Sequence, residues 1–320
     1  MQVIAVTSVI RVQNLTRYYG DRLAVDHICF EVSAGELFGF LGPNGAGKTT
    51  TQRMLTGVLP PSEGTALVLD HDMAKDPLRA KEHIGVVPEV ANPYVEMSGW
   101  QNLMLAGELY GLGKRTRRDR AEQLLQELEL WGRRGDRAKS YSKGMRQRLM
   151  LAMAFLHKPE VLFLDEPTAG LDVASRRHIH RVVQELARQG VAVFYTTHNI
   201  EEANVLCDRV AIIHEGRLAA IDSPEALKAH FAASQSVQVA FGAPVELEAL
   251  ANLAAVTHVE KEADKLHLFT ARPGHVATEV ALFARSHSLN ITSLNTVGPS
   301  LEEVFMSLTE RKQQAGGEKE

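Results

Sequence analysis

Much that would define a specialised protein is scarce in this sequence. There are two cysteines in 320 residues, and aromatic side chains make up 6%. The charges nearly cancel, 35 Lys and Arg against 39 Asp and Glu, for a net charge of −4. Cys29 and Cys207 are too few for a disulfide framework, and their spacing does not suit a metal. Both sit in apolar contexts and are expected to be buried core thiols in a reducing, intracellular compartment. The lack of a basic excess argues against a general nucleic-acid binder. The longest unbroken apolar run is Leu149–Leu156, far short of the about 20 residues of a membrane span. The segment Met1–Thr7 is apolar but short, with no basic start and no cleavage signature, so no signal peptide is expected. There is no repeat of fixed period.

What is present is an ordinary globular composition, 45% hydrophobic and 23% charged. At about 150 residues per domain the length suggests two domains. Short β-rich apolar runs recur at Glu36–Leu41, Val161–Leu164, Val191–Tyr195 and Val210–Ile213. Runs of this kind suit strands buried on both faces of a mixed or parallel sheet. Amphipathic stretches such as Val173–Arg188 lie between them, and Thr49–Leu59 reads as a helix start, so the class is α/β. Residues from about 94 to 140 are largely helical in pattern, as in Trp100–Tyr110 and Arg118–Leu130, and read as a helical subdomain inserted into the sheet domain. A boundary is expected near Phe231–Ser236, after a helix begun by Ser223-Pro224-Glu225. The first domain is therefore set at residues 8–230. Residues 236–310 then follow the order βαββαβα, which suggests a small α+β domain of ferredoxin-like type. Residues 311–320 are polar and are expected to form a disordered tail.

Gly42-Pro43-Asn44-Gly45-Ala46-Gly47-Lys48-Thr49-Thr50 fits G-x-x-x-x-G-K-[ST] between a strand and a helix start. Glycines let the backbone wrap closely and aim N–H groups at phosphate oxygens, and the helix N-terminus adds partial positive charge. Lys48 is expected to reach the β- and γ-phosphates, Thr49 to ligate Mg²⁺, and Thr50 to hold the α-phosphate.

Val161–Glu166 is an apolar strand pattern that ends in two carboxylates. Alone, Asp-Glu-Pro is good turn chemistry. Beside a phosphate loop, Asp165 is expected to hold Mg²⁺, and Glu166 to polarise an attacking water as general base.

Further residues carry a resemblance. Tyr141-Ser142-Lys143-Gly144-Met145, which precedes Asp165, resembles the signature motif of the ATP-binding-cassette (ABC) ATPases. Ala169-Gly170-Leu171-Asp172 resembles their D-loop, His198 their switch histidine, and Tyr19 the aromatic that stacks on adenine. Tyr18, its neighbour, is the alternative stacker. The resemblance spans Leu15 to about Gly216. It implies that two cassettes sandwich two ATP molecules, each held between the phosphate loop of one chain and the Ser142–Gly144 segment of the other. It further implies that His198 contacts the γ-phosphate and that Asp172 reports across the dimer interface. The expected cofactors are ATP and Mg²⁺. The ending Gly298-Pro299-Ser300-Leu301-Glu302-Glu303-Val304-Phe305 resembles that of cassettes serving ABC-2-type exporters of drugs and antibiotics.

The chain also departs from the family pattern. Glu89, in Val86-Val87-Pro88-Glu89, stands where a Gln that contacts Mg²⁺ is usual, and would bring a further carboxylate to the metal. Tyr141, Lys143 and Met145 replace commoner residues of the signature, while Ser142 and Gly144 keep its chemistry. The basic stretches Lys114–Arg120 and Arg133–Lys139 read as solvated faces, with contact to anionic lipid headgroups as the alternative. His178 and His180, two apart on a helix, would face different ways and make a poor metal pair.

The leading expectation is an ATPase subunit of a homodimer at the cytoplasmic face of the membrane. It would drive a separate transmembrane permease, an exporter, without binding nucleic acid. The alternatives are a soluble ABC ATPase acting on DNA or ribosomes, and a nucleotide-dependent regulatory module.

Overall fold

The computed structural model describes residues 8–229, 235–262, 265–298 and 300–316. The segment Met1–Thr7, residue 230 at the expected domain end, most of the expected boundary at 231–236, Pro299 of the terminal motif, and residues 317–320 of the expected tail lie outside the described residues. The chain divides into two compact units, Met1–Asp222 and Ser223–Glu320. The helix at Pro224 thus belongs to the second unit, whereas the sequence reading placed it in the first.

The first unit opens with two long antiparallel strands, β1 (Ser8–Tyr19) and β2 (Arg22–Ser33). Then come β3 (Leu37–Leu41), α1 (Lys48–Leu55), β4 (Glu63–Val68), β5 (His71–Asp72), α2 (Pro77–Lys81) and β6 (Ile84–Val87). The helical insertion holds α3 (Gly99–Leu109), α4 (Lys114–Glu127) and α5 (Lys143–Phe155). The unit closes with β7 (Val161–Asp165), α6 (Val173–Arg188), β8 (Ala192–Thr197), α7 (Ile200–Leu206), β9 (Arg209–His214) and β10 (Arg217–Asp222).

Two sheets result. One is antiparallel, in the order β2-β1-β4-β5. The other runs β10-β9-β3-β8-β7-β6, parallel from β9 to β6 with β10 antiparallel at its edge. The apolar runs read from the sequence are β3, β7, β8 and β9 of this second sheet, and β3, β7 and β8 are buried along their whole length. Phenylalanines join the sheets. Phe30 of β2 stacks on Phe38 of β3 with centroids 5.4 Å apart and on Phe194 of β8 at 6.0 Å. Aromatic pairs at such separations add to the hydrophobic gain of burial.

Cys207 is buried, but Cys29 is exposed, contrary to expectation. Along β2, residues 28, 30 and 32 face the core and Cys29 takes the outward phase between them. Alternation along a strand with one wet face decides its position, whatever its neighbours' hydrophobicity. Its thiol donates to Asn14 Oδ1 at 3.3 Å and accepts from the Asn14 N–H at 3.1 Å.

The second unit contains α8 (Pro224–Ala229), β11 (Ser236–Phe241), α9 (Leu247–Ala251), β12 (His258–Glu262), β13 (Lys265–Phe269), α10 (Pro273–Ser286), β14 (Ile291–Val297) and α11 (Leu301–Gly316). Its sheet is antiparallel in the order β12-β13-β11-β14. That is the ferredoxin-like arrangement expected from the element order. Val237, Val239, Leu266 and Leu268 face Leu250 of α9 and Val276 and Val280 of α10. The ending Ser300-Leu301-Glu302-Glu303 is a capping box. Ser300 Oγ accepts from the Glu303 N–H at 3.1 Å, and Glu303 accepts from the Ser300 N–H at 2.8 Å. Two orphan donors of the first turn of α11 are satisfied reciprocally. That helix runs on to Gly316, past residue 310, where the sequence reading began a tail.

Among the described residues no helix is long and apolar enough to cross a membrane.

Candidate functional site

The carboxyl ends of parallel strands are where ligands bind in open α/β sheets. In this sheet Leu41 ends β3 level with Thr197 of β8, and Asp165 ends β7 level with Thr196. The loops that leave these three strands carry Gly42–Thr50, Glu166 and His198.

The loop after β3 closes on itself through Ala46 N–H to Pro43 O at 3.2 Å, and Gly216 N–H ties it down at Ala46 O, 3.0 Å. Gly42 has no room for a side chain, since a Cβ there would lie 2.4 Å from Ile213 O. Gly47, the N-cap of α1, has φ 111°, open to glycine but strained for other residues. Lys48 folds back over the loop. Its Nζ donates to Gly42 O at 2.8 Å and Pro43 O at 3.2 Å, and lies 3.2 Å from Glu166 Oε1.

Glu166 is the focus of the site. It is almost fully buried and sits at φ 48°, a region rarely used by a non-glycine residue. Its N–H is held by Thr196 O at 3.2 Å and Thr196 Oγ1 at 3.1 Å. One carboxylate oxygen meets Lys48, and the other is hydrogen-bonded to His198 Nδ1. Thr196 Oγ1 also donates to Asp165 Oδ1 at 2.6 Å, so one hydroxyl fixes both acidic residues. The Thr49 hydroxyl donates to Asp165 Oδ1 at 3.5 Å.

These residues border a cleft of about 450 Å³, lined by Tyr19, Asn44, Gly45, Gly47, Lys48, Thr49, Thr50, Glu89, Glu166 and His198, with Arg22 and Ala24. Tyr19 lines the cleft and Tyr18 does not. The Arg17 guanidinium lies 5.1 Å from the Tyr19 ring centroid and is held by Pro60 O at 2.9 Å. Gly42, Pro43, Ala46 and Asp165 shape the loop and strand end beneath the cleft without lining it.

Ser142, Gly144 and Asp172 do not line this cleft. They gather where two other helices begin. Ser142 caps α5, its Oγ accepting from the Met145 N–H at 3.2 Å. Asp172 caps α6, accepting from the Ser175 N–H and hydroxyl, both at 2.8 Å. These bonds from Ser175 hold the Asp172 carboxyl below the usual carboxylate range. A Cβ on Gly144 would fall 2.5 Å from Ser175 Oγ, so the two helix starts pack backbone against side chain.

A Mg²⁺ ion fits the donors present. Thr49 and Asp165 offer hard oxygens that converge at the phosphate loop. Among the described residues no cluster of three or more acidic, His or Cys side chains could hold a metal by itself. Mg²⁺ is commonly bound by one or two carboxylates together with substrate phosphates.

The remaining expectations fall away from the cleft. His178 lies 3.4 Å from Glu129 and His180 3.5 Å from Glu202, so the two do not converge. The basic stretches carry ion pairs on their surfaces, as in Arg115 with Asp119 and Lys139 with Glu96. Arg22, Ala24, Arg17 and Thr196 were missed in the sequence. Of these, only Thr196, two residues before His198 at a strand end, had a position that could have drawn notice.

Known proteins resemble both units. The ABC transporter family matches residues 25–169. The C-terminal domain described as "ATP-binding protein DrrA1-3-like" matches residues 223–309. The linearmycin resistance ATP-binding protein LnrL of Bacillus subtilis is 36% identical over 307 residues, covering 94% of this chain and 98% of that protein. The daunorubicin resistance ATP-binding protein DrrA2 of Streptomyces coeruleorubidus is 36% identical, over 94% of each. The Nod factor export ATP-binding protein I of Rhizobium sp. is 36% identical, over 92% of this chain and 94% of that protein. Among solved structures, an ATP-binding subunit of an ABC transporter superposes with a TM-score of 0.65 at 29% identity, covering 70% of this chain and 93% of that one.

Proposed function

Because the chain belongs to the ABC transporter family, as an ATP-binding subunit, we propose that it hydrolyses ATP to drive a separate transmembrane permease that exports a drug or another small lipophilic molecule. The three relatives named above are, by their names, proteins of linearmycin resistance, daunorubicin resistance and Nod factor export, and that supports the export direction. The working position is the cytoplasmic face of the membrane, in contact with the permease.

One observation carries the chemistry. Glu166 is buried and bridges Lys48 to His198 at the edge of the cleft. A carboxylate fixed in this way can accept a proton from an attacking water. Lys48 balances negative charge on the β- and γ-phosphates, and His198 orients the water and the γ-phosphate. Tyr19 offers its ring to the adenine. The N–H groups of Gly45 to Thr50 receive the phosphates at the start of α1. Mg²⁺, held by Thr49 and Asp165 with Glu89 near, would neutralise charge on the phosphate oxygens.

Ser142, Gly144 and Asp172 lie outside the chain's own cleft, at the starts of α5 and α6. Their chemistry is put to use when a second copy presents its nucleotide there, which supports a homodimer with two composite sites.

The test is a pull-down of the tagged protein from detergent-solubilised host membranes, with phosphate release assayed on the eluate. Recovery of a multi-span protein in near-equal amounts, together with Mg²⁺-dependent hydrolysis abolished by Glu166→Gln, is the expected result. Recovery only with ribosomes, nucleic acid or no partner overturns it.

A further inference from the structure

A second buried carboxylate lies behind the catalytic pair. Glu202 stands at the third position of α7, which Asn199 caps through its side-chain oxygen, 3.1 Å from the Glu202 N–H. A Glu at this position ordinarily reaches back to the N–H of the capping residue. Here the Thr197 hydroxyl takes that N–H at 2.9 Å, and the Glu202 side chain turns into the protein, almost fully buried.

Its partners come from the segment after β7, from β8 and from α6. Oε1 accepts from the Thr168 hydroxyl at 2.7 Å and lies 3.4 Å from Arg176 Nε and 3.5 Å from His180 Nε2, both on α6. Oε2 accepts from the Thr197 hydroxyl at 3.2 Å and the Tyr195 hydroxyl at 3.3 Å. Burial pushes the Glu202 pKa up, but the bonds from His180, Thr168 and Thr197 outweigh it and hold it below the usual range. Taking a carboxylate out of water is costly, and an ion pair with the partly exposed Arg176 repays that only in part, so stability alone does not account for a carboxylate in this place.

Its position in the chain does. Thr168 follows Glu166 by two residues, and Thr197 immediately precedes His198. Arg176 and His180 belong to the helix that Asp172 begins. We infer that Glu202 is a positioning residue, which fixes the segment bearing Glu166, the segment bearing His198 and the helix of Asp172 in one register so that the catalytic pair stays aligned. The inference rests on the roles proposed above for Glu166 and His198.

The test uses the full chain and four variants: Thr168→Val, Thr168→Ser, Glu202→Gln and Glu166→Gln. For each, kcat and KM for ATP are measured per nucleotide-binding site, with sites counted by titration with a fluorescent ATP analogue, and thermal unfolding is recorded. Misalignment of about 1 Å can cost roughly 100-fold in rate. The expected result is a fall in kcat of about 10- to 100-fold for Thr168→Val and Glu202→Gln with KM and analogue affinity within about twofold of the parent. Thr168→Ser, which keeps the hydroxyl, should restore the rate to within about threefold. Thr168→Val decides the matter if Glu202→Gln does not fold. The inference is overturned if Thr168→Val or a folded Glu202→Gln turns over at the parental rate, if Thr168→Ser is as impaired as Thr168→Val, or if activity falls only in step with the number of binding sites. Parental turnover in Glu166→Gln would overturn the catalytic reading itself, a failure distinct from these.

Discussion

The His198 ring and the Glu166 carboxylate are hydrogen-bonded to each other from the ends of neighbouring parallel strands. The other oxygen of Glu166 meets Lys48 at 3.2 Å. Lys48 at the start of α1 and Glu166 and His198 just past two strands therefore share one contact, and Thr196 holds the Glu166 N–H. Replacing Glu166 with Gln keeps the shape and removes the proposed base. Hydrolysis should fall by about 100- to 10,000-fold while binding of a fluorescent ATP analogue survives. A phosphate-release assay alongside the binding titration checks this.

The phosphate loop leaves no space at Gly42, where a Cβ would meet Ile213 O at 2.4 Å. Gly42→Ala should destabilise the first unit by about 1–3 kcal/mol through overpacking. That corresponds to a lowering of the midpoint by roughly 2–4 °C per kcal/mol for a domain of this size. ATP affinity should weaken as well, because the loop must shift away from β9. Scanning calorimetry with and without nucleotide reads both effects.

Composite sites of the kind proposed predict rescue by mixing. Lys48→Ala disables the phosphate loop of its chain, and Ser142→Glu disables the signature segment of its own. Each homodimer should be inactive, whereas a mixed dimer contains one wholly intact site. Activity that appears when the two inactive variants are mixed would establish that Ser142 acts on the partner's nucleotide. A mixture that stays inactive would count against the assignment of Ser142 to the partner's nucleotide.

Glu89 brings a carboxylate to the cleft where an amide is usual for the family. A unit charge at about 4 Å in a water-like medium is worth about 1 kcal/mol, roughly fivefold in affinity. Glu89→Gln should raise the Mg²⁺ concentration for half-maximal hydrolysis by up to about that factor without weakening metal-free nucleotide binding. A magnesium titration at saturating ATP tests this.

His157 supplies a pH dependence of stability. Its ring stacks on Tyr110 with centroids 3.6 Å apart and its Nε2 meets Ile84 O at 3.0 Å. Burial pushes its pKa down to about 4 from 6.5. Between these values the unfolded chain binds the extra proton and the folded one does not, so stability rises with pH. The contribution is fully present above about 6.5 and is lost as pH falls through about 4. His157→Phe keeps an aromatic ring and should flatten the slope of the unfolding midpoint over this range. An unchanged slope would assign the acid sensitivity elsewhere.

The site was legible in the sequence wherever its chemistry is local. Lys48 and Thr49 are fixed by the spacing of one loop, and Asp165 and Glu166 by the end of one apolar strand. Tyr19 and Tyr18 were not separable, because adjacent residues of a strand differ only in which face they occupy. Only the fold sets Tyr19 along the cleft. Glu202 was missed because its partners Thr168, Arg176 and Tyr195 come from three other elements. Strands β1 and β2 escaped notice too. Positive φ at Asn14 and His27, together with register shifts along the β1–β2 pair, breaks the simple alternation that marks a half-buried strand. The second unit was easier, since its strands are short and regular and its capping box is written in four consecutive residues.

The position of β3 governs how this protein can be made. That strand, which leads into the phosphate loop, pairs with β8 and β9 on its two edges. Both partners lie more than 140 residues downstream. At about 5–20 residues per second, translation takes roughly 9–35 s to travel from Leu41 to His214. During that interval β1, β2 and β4 can pair with one another, while β3 waits with both edges unpaired. A nascent chain stalled before β8 would therefore carry a complete nucleotide loop on an unsupported strand, and would be a natural client for chaperones on the ribosome.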